Sequence, residues 1–419
     1  MSQEKHDASK ILYEALNIGE QMLICGAEVY RVEDTISRIC RAYGMKRVDV
    51  FTITSSIVVT VLTAEDEVLT QTRRIAGYET HLDRLSDLNG LSRSICTKQI
   101  GPAEVRDRIA MIMEKPSYSA GMQYLIYAMV SGMFTLFFGG SPMDGVASVL
   151  TGMFLCAIVR CFSGKIVNRL LSVLCASVLT GFAAVAVVRL GLGENVSMIV
   201  IGNIMLLIPG TAMTNSIRDM LGGDTMSGIL RLCESLLLAV AIASGMALVL
   251  YWYSPTVIPS QHTGIMAWYY SREGQILIQM VTSFFGALGF AMLFHVHGIR
   301  KWQGALGGML TWGVYLLTGL FTHSVFWGYT IAAAFATCYG EWMARREKTP
   351  ATLFLVPAVI MMIPGGSLYN TMYYAMQGDY SGFAATGLNT MSMAAAISIG
   401  ILIASSLIRK ATQTLAGAK

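Results

Sequence analysis

The chain has 419 residues, 54% hydrophobic and only 13% charged, against roughly 25% charged in an ordinary soluble domain. That much apolar surface excludes a wholly water-soluble fold and makes a bilayer the solvent for most of the chain. The net charge of +4 is small and spread out, so it leaves no electrostatic footprint for nucleic acid.

Residues 1–117 hold 15 of the 30 Lys and Arg, and the other 302 residues hold the remaining 15; this predicts a soluble region ahead of a membrane region. The first residues, among them Glu4, Lys5, His6, Asp7 and Lys10, lack the apolar core of a secretory signal, so insertion falls to internal segments. Residues 8–43 read as two helices broken at Cys25-Gly26, the second running from Glu28 to Tyr43 and stopped by Gly44. β-Branched and alternating residues predict strands over 48–54, 56–63 and 68–75. Helices resume at 79–97 and 102–115, the latter opened by Pro102. The densest polar cluster of this α+β domain is Glu28, Tyr30, Arg31, Glu33 and Asp34, whose spacing reads as a solvated helix face with local ion pairs. Cys25, His81 and Asp83 would supply a nucleophile and its base only if the fold gathered them.

Spans of about twenty mostly apolar residues are predicted near 121–139, 143–160, 170–191, 196–214 and 229–252, and again near 274–295, 303–320, 325–343, 350–366 and 383–408. The expected domains are 1–117, a first membrane half 118–252, an external linker 253–273 rich in Tyr and Trp, and a second half 274–419. Ile208-Pro209-Gly210, Asn215 and Gly223-Asp224 return as Ile363-Pro364-Gly365, Asn370 and Gly378-Asp379, each 155 residues later, and Gly152/Gly307, Gly164/Gly319 and Gly245/Gly400 keep that offset. Internal duplication in an apolar chain is the signature of a transporter whose halves enclose a substrate path.

Five spans per half is odd, so the second half enters the membrane with the opposite orientation. With residues 1–117 in the cytoplasm, the inner loops and tail carry thirteen Lys and Arg, from Arg160 to Lys419, while the outer loops carry only Arg189 and Arg272; this is the positive-inside bias. The expected fold is mainly α: a multi-pass plasma-membrane protein with about ten transmembrane helices in two inverted five-helix repeats, behind a small α+β cytoplasmic domain, with its C-terminus also cytoplasmic.

Only about fourteen residues precede the first Pro-Gly, roughly 20 Å of a core about 30 Å thick, so the helix is expected to break inside the membrane. Freed backbone groups there must face protein or a watery cavity. Candidate pathway residues are therefore Pro209, Gly210, Thr214 and Asn215 with Pro364, Gly365, Tyr369 and Asn370. The plainer alternative is a helix end followed by an interfacial turn. Asp224, Asp379 and Glu234 are the proton-coupling candidates, although an Arg231/Glu234 pair explains Glu234 almost as well. His295 and His297, two apart, point in different directions on a helix, and no metal or other cofactor is expected. The eight cysteines read as reduced thiols.

Three stretches carry a family resemblance: Gly26-Ala27-Glu28-Val29-Tyr30-Arg31-Val32-Glu33-Asp34-Thr35; Pro209-Gly210 through Asn215, Arg218, Asp219, Gly223-Asp224 and Gly228; and Pro364-Gly365 through Gly378-Asp379. On these the chain resembles the threonine/serine exporter family over nearly its whole length. The resemblance implies ten spans, a cytoplasmic N-terminal domain and efflux of small amino acids driven by the proton motive force, so that the partners are a small-molecule substrate, protons and the lipid bilayer. The family includes versions divided into two proteins, which fits a boundary at 253–273. Two other readings compete. One is an exporter of a small dicarboxylate or other metabolite; the other is a membrane-anchored enzyme or sensor acting through the N-terminal domain. Ten duplicated spans are excessive for an anchor, and the sequence lacks a Walker-type phosphate loop, so a secondary transporter rather than an enzyme is expected. The polar residues select no single substrate and no oligomeric state.

Overall fold

The computed structural model describes the chain apart from Met1, Ala76, residues 164–167, Gly210, Thr211, Met213, Thr214, Ile217, Arg218, Leu221, Gly222 and residues 253–264 and 418–419. Gly26 (φ +94°) turns the chain between α1 (Ser2–Ile24) and α2 (Val29–Ala42), a left-handed conformation that costs glycine little because it has no Cβ. β1 (Arg47–Ile53), β2 (Ser56–Leu62) and β3 (Val68–Arg74) form an antiparallel meander in which Val48 pairs with Val61 and Val59 with Gln71. Alternate residues of β2, Ile57, Val59 and Val61, are buried against the helices, as the period of two requires. α3 (Leu82–Lys98) and α4 (Pro102–Met113) complete this unit. Its core of Leu12, Leu16, Ile36, Leu85 and Leu88 continues without a gap into Val296, Leu353 and Phe354 of the membrane part.

The membrane part begins with α5 (Ala120–Phe137), α6 (Pro142–Phe162), α7 (Arg169–Arg189), the short α8 (Val196–Ile204) and α9 (Thr225–Trp252). After α10 (Ile265–Tyr269) come α11 (Arg272–Leu293), α12 (Arg300–Phe321), α13 (Val325–Glu347), α14 (Thr352–Val359), a 3₁₀ turn at Ile360–Met362, α15 (Gly365–Met376) and α16 (Tyr380–Gly417). Among the described residues seven helices are long and apolar enough to cross a membrane, or eight with the pair α14–α15, which is bent by 45° at its break. The count falls short of the expected ten for physical reasons. α8 stops after nine residues, and part of the segment between it and α9, Gly210 and Thr214 included, lies outside the described residues. α13 has 23 residues but carries Thr330, Thr337, Tyr339 and Glu341, too polar a run to qualify by composition.

Packing repeats between the halves. α5 lies on α6, α6 on α7 and α7 on α9, as α11 lies on α12, α12 on α13 and α13 on α16; α8 touches α5, α6 and α7 just as α14 touches α11, α12 and α13, and α5 against α11 joins the two sets. Gly245 and Gly400 sit at matching crossings. A Cβ on Gly245 would lie 2.6 Å from Ser177 Oγ and 2.9 Å from the Leu174 carbonyl, and one on Gly400 would lie 2.3 Å from the Thr330 carbonyl. Small residues let helix backbones approach this closely where lipid supplies no hydrophobic drive for association.

The α+β unit docks on one end of the bundle. Leu82 N–H donates to the Phe294 carbonyl (3.0 Å), and the His297 N–H donates to Asp83 Oδ2 (3.0 Å), which also contacts His297 Nδ1 (2.7 Å). The Tyr118 hydroxyl donates to the Val296 carbonyl (2.8 Å), and the rings of His81 and His295 stack at 4.3 Å. On the far side of the contact, Ser227 at the start of α9 donates to the Thr52 carbonyl (3.3 Å). From Tyr118, the 18 residues of α5 carry the chain about 27 Å to the opposite end, where the Tyr269 hydroxyl donates to the Gly140 carbonyl (2.6 Å).

Gly400→Ala is expected to lower the unfolding midpoint of the detergent-solubilised protein, a loss of about 1–3 kcal/mol from overpacking. Gly319→Ala, where an added Cβ meets nothing within 4 Å, does not lower the midpoint, since alanine is the better helix former there. Equal midpoints for the two variants would refute close backbone packing at the α13–α16 crossing.

Candidate functional site

The site grows from the turn at Gly26. The chain emerges extended at Glu28 (φ −73°, ψ 143°), which caps α2 through its carbonyl, the acceptor for the Arg31 and Val32 amides. This geometry turns the Glu28 side chain toward the bundle, where it is 3% exposed, with Arg31 Nη2 3.7 Å from Glu28 Oε2. The rest of the motif divides. Tyr30 is 40% exposed, and Glu33 Oε1 accepts the Thr52 amide at 2.8 Å, tying α2 to β1. Asp34 pairs with Arg38 on the outer face at 2.8 Å. The expected solvated face therefore describes Asp34 and fails at Glu28, which a tertiary contact buries.

Two cavities meet at Glu28. One, of about 200 Å³, is walled by Glu28, Thr54, Tyr78 and Thr80 of the α+β unit, by Pro209, Ala212 and Asn215 beyond the first break, by Arg231, Glu234 and Ser235 of α9, and by Arg169 and Thr352. The other, of about 220 Å³, is lined by Glu28, Tyr30, Arg31, Asp219, Asp224, Glu341 and Thr352 among others. Both are smaller than the roughly 300–1,000 Å³ of drug-sized ligand sites. They offer both signs of charge beside neutral hydroxyls and one amide.

The ion pairs differ from the local one expected. Arg231 reaches Asp219 (3.3 Å), whose side chain is 3% exposed, while Glu234 pairs across to Arg169 (3.1 Å) with both side chains near half exposed. Asp224 and Asp379, one repeat apart, also part company. Asp224 lines the second cavity, and burial raises its carboxyl above the usual range. Asp379 accepts the Gly382 amide (2.9 Å) and the Ser381 hydroxyl (2.7 Å), which hold its carboxyl below that range; it is a helix cap for α16. Burial also raises Glu33, with the neighbouring Asp224 adding to it and the Thr52 hydrogen bond opposing it.

At the second break, Pro364 and Gly365 are buried, and a Cβ on Gly365 would lie 2.4 Å from Met205 Sδ. The two interruptions thus pack on each other. Tyr369 is buried and stacks on Tyr373, whereas Asn370 is exposed on the bundle surface. Of the sequence candidates, Pro209, Asn215, Glu234 and Glu28 share one cavity; Pro364, Gly365 and Tyr369 support the crossing of the breaks; Gly210 and Thr214 lie outside the described residues.

Cys25 lies beside His81, whose amide donates to the Cys25 carbonyl, but burial pushes the thiol up to about 12, the opposite of an activated nucleophile. Asp83 is engaged with His297, so these three form no hydrolytic site. Among the described residues no group of three His, Cys, Asp or Glu could hold a metal ion.

Other polar residues escaped sequence reading. Asn203, fully buried, donates to Ser148 Oγ (2.8 Å), which also meets Thr135 Oγ1 (2.7 Å); its signal was a lone amide in an apolar run. Buried Asp144 accepts the amides of Ser141, Glu194 and Asn195 at 3.0, 2.7 and 2.8 Å, and the capping pair Ser141–Asp144 was legible. Thr54, Tyr78 and Thr80 gave no local signal.

Sequence comparison agrees with this architecture. The family profile for a threonine/serine exporter matches residues 14–253, and a second, described as "Threonine/Serine exporter, ThrE", matches residues 279–407. The chain is similar to "Threonine/serine exporter" of Corynebacterium glutamicum, 24% identical across 94% of this chain and 82% of that protein. No solved structure matches the chain. The chain belongs to the threonine/serine exporter family, a family of membrane exporters.

Proposed function

We propose that the protein is a secondary transporter that exports small amino acids of the threonine/serine kind across the plasma membrane, driven by the proton motive force. Its two five-helix halves stand inverted, and the α+β unit covers the path from the cytoplasmic side. The observation that carries this reading is the cavity of about 200 Å³ that joins the first helix break, at Pro209 and Asn215, to Glu28 and Arg231.

A zwitterion has an ammonium for the carboxylate and a carboxylate for the guanidinium, and Thr54, Tyr78, Thr80 and Ser235 offer hydrogen-bond partners to a hydroxyl. A dicarboxylate fits less well, because Glu28 and Glu234 face the same space and like charges repel there. The matching packing of the two halves supports duplication, and the thirteen-to-two distribution of Lys and Arg supports inversion. Raised Asp224 at the docking end suits a proton-carrying role better than Asp379, whose carboxylate is engaged as a cap, or Glu234, held in an exposed ion pair. The reading requires no covalent step, and the α+β unit acts as part of the transporter.

Cells loaded with a threonine-containing dipeptide test it. Those making the protein are expected to accumulate threonine in the medium faster than cells without it, and a protonophore abolishes the difference. Identical efflux in both, for threonine, serine and other small neutral amino acids, would refute the assignment.

A further inference from the structure

The α+β unit and the bundle meet through a pair of imidazoles. His81, 2% exposed, stands at the start of α3, and His295 in the turn between α11 and α12; their rings lie within 11° of parallel at 4.3 Å. Each ring occupies a place more often given to another residue. His81 caps α3, its Nδ1 accepting the Arg84 amide at 3.3 Å, a task commonly performed by Ser, Thr, Asp or Asn. His295 holds the left-handed position that ends α11 (φ +59°), where glycine is usual. We propose that this stacked pair is a pH-sensitive latch: the α+β unit stays docked while both rings are neutral, and acidification of the compartment that this end faces releases it from the bundle. What release does for transport rests on the reading of the chain as an exporter; the latch rests on the docked geometry alone.

The hydrogen bonds leave no place for a second proton. A His81 Nδ1 that accepts the Arg84 amide is unprotonated, so the neutral ring carries its proton on Nε2, which is buried without a partner. A further proton on Nδ1 would break the cap and set one N–H against another. His295 hydrogen-bonds the Thr80 backbone, while its Nδ1 is buried without a partner. A proton there would find no acceptor and would charge a ring stacked on His81.

The surrounding charges decide the sign. Among the described residues, the charged and titratable groups that face the pair are Glu79, Asp83 and Arg84 beside His81, Cys25 at the end of α1, His297 after His295, and Tyr118 ahead of α5. Arg160 of α6 lines a cavity of about 550 Å³ together with Glu79 and His295; both Arg160 and Glu79 are exposed, so a proton can approach His295 from that side. Burial, with His295 and Arg84 adding to it, holds the His81 imidazole down at about 3. Burial lowers His295 as well, with Glu79 opposing and His297 and Arg84 adding to the effect. His297, 2.7 Å from Asp83 Oδ2, works the other way, since a proton on it strengthens that contact. An undocked histidine titrates near ~6.5, so docking is strongest above that range and is lost as pH falls through it. For His81 alone the docking constant falls about tenfold between roughly pH 7.5 and 5.5, and His295 adds to the loss.

The test uses the full-length protein in lipid nanodiscs, without its eight native cysteines and with spin labels at Asp34→Cys on the outer face of α2 and Ile299→Cys in the exposed turn before α12. The distance between the labels is measured from mildly alkaline to mildly acidic pH. One population is expected above neutrality, with a second, more distant one growing as pH falls. His81→Asn, which keeps a capping oxygen, makes the response shallower, and His81→Asn with His295→Gln abolishes it. His297→Gln leaves the release in place. A wild-type distance that does not change with pH would overturn the proposal, as would a double variant that responds as the wild type does. Should the double variant not fold, His81→Asn alone decides: a shallower response supports the latch and an unchanged one overturns it. Because the readout is a distance and not a flux, failure of the latch and failure of the exporter assignment are told apart.

Discussion

A lipid interior offers backbone amides and carbonyls no partners, so a membrane helix can be interrupted only where protein or a watery cavity receives the freed groups. This chain interrupts two helices, after Ile204 and between Val359 and Gly365, and much of the surrounding structure meets that constraint. The interruptions lie against each other through Met205, Ile208 and Gly365. α5, α6 and α7 enclose the first, and α11, α12 and α13 enclose the second. At one end the α+β unit closes over them, and two charged cavities lie between it and the breaks.

The halves share geometry and differ in chemistry. Gly245 and Gly400 serve the same close crossing, but Asn203 corresponds to Ala358 and Glu234 to Asn389 at the repeat offset. Asp224 faces a cavity while Asp379 caps a helix. Packing is a property of the whole helix pair and survives such replacements, whereas a buried polar group must be satisfied individually. Among the described residues of the membrane part, the buried carboxylates Asp144 and Asp219 and the buried amide Asn203 all lie in the first half. The end opposite the α+β unit has no docked unit among the described residues and is held by helix turns, with Asp144 gathering three backbone amides there.

Local signals were legible where local physics decides. Gly26, Gly44 and Pro102 mark the ends and start of helices in the α+β unit, β2 alternates as its β-branched run implies, and the 155-residue echo locates both breaks. Expectations failed where a partner distant in sequence decides. Glu28 reads as a solvated residue because its own helix turn is polar; it is buried by the docked bundle. Arg231 and Glu234 are three apart, but each finds a partner on another segment, Asp219 and Arg169. Thr54, Tyr78 and Thr80 belong to the candidate site only because a whole domain sits on the bundle end, a placement that no periodicity encodes.

In the proposed transporter the α+β unit covers one end of the path, so the central claim is that this unit must move from the bundle for substrate to pass. Its most direct test joins the two parts: His81→Cys and His295→Cys, at the position where the rings stack at 4.3 Å, are linked by a short cleavable thiol reagent in a background lacking the eight native cysteines. Threonine export is predicted to stop on cross-linking and to return when the link is cleaved. Undiminished export by the fully cross-linked protein would contradict the account.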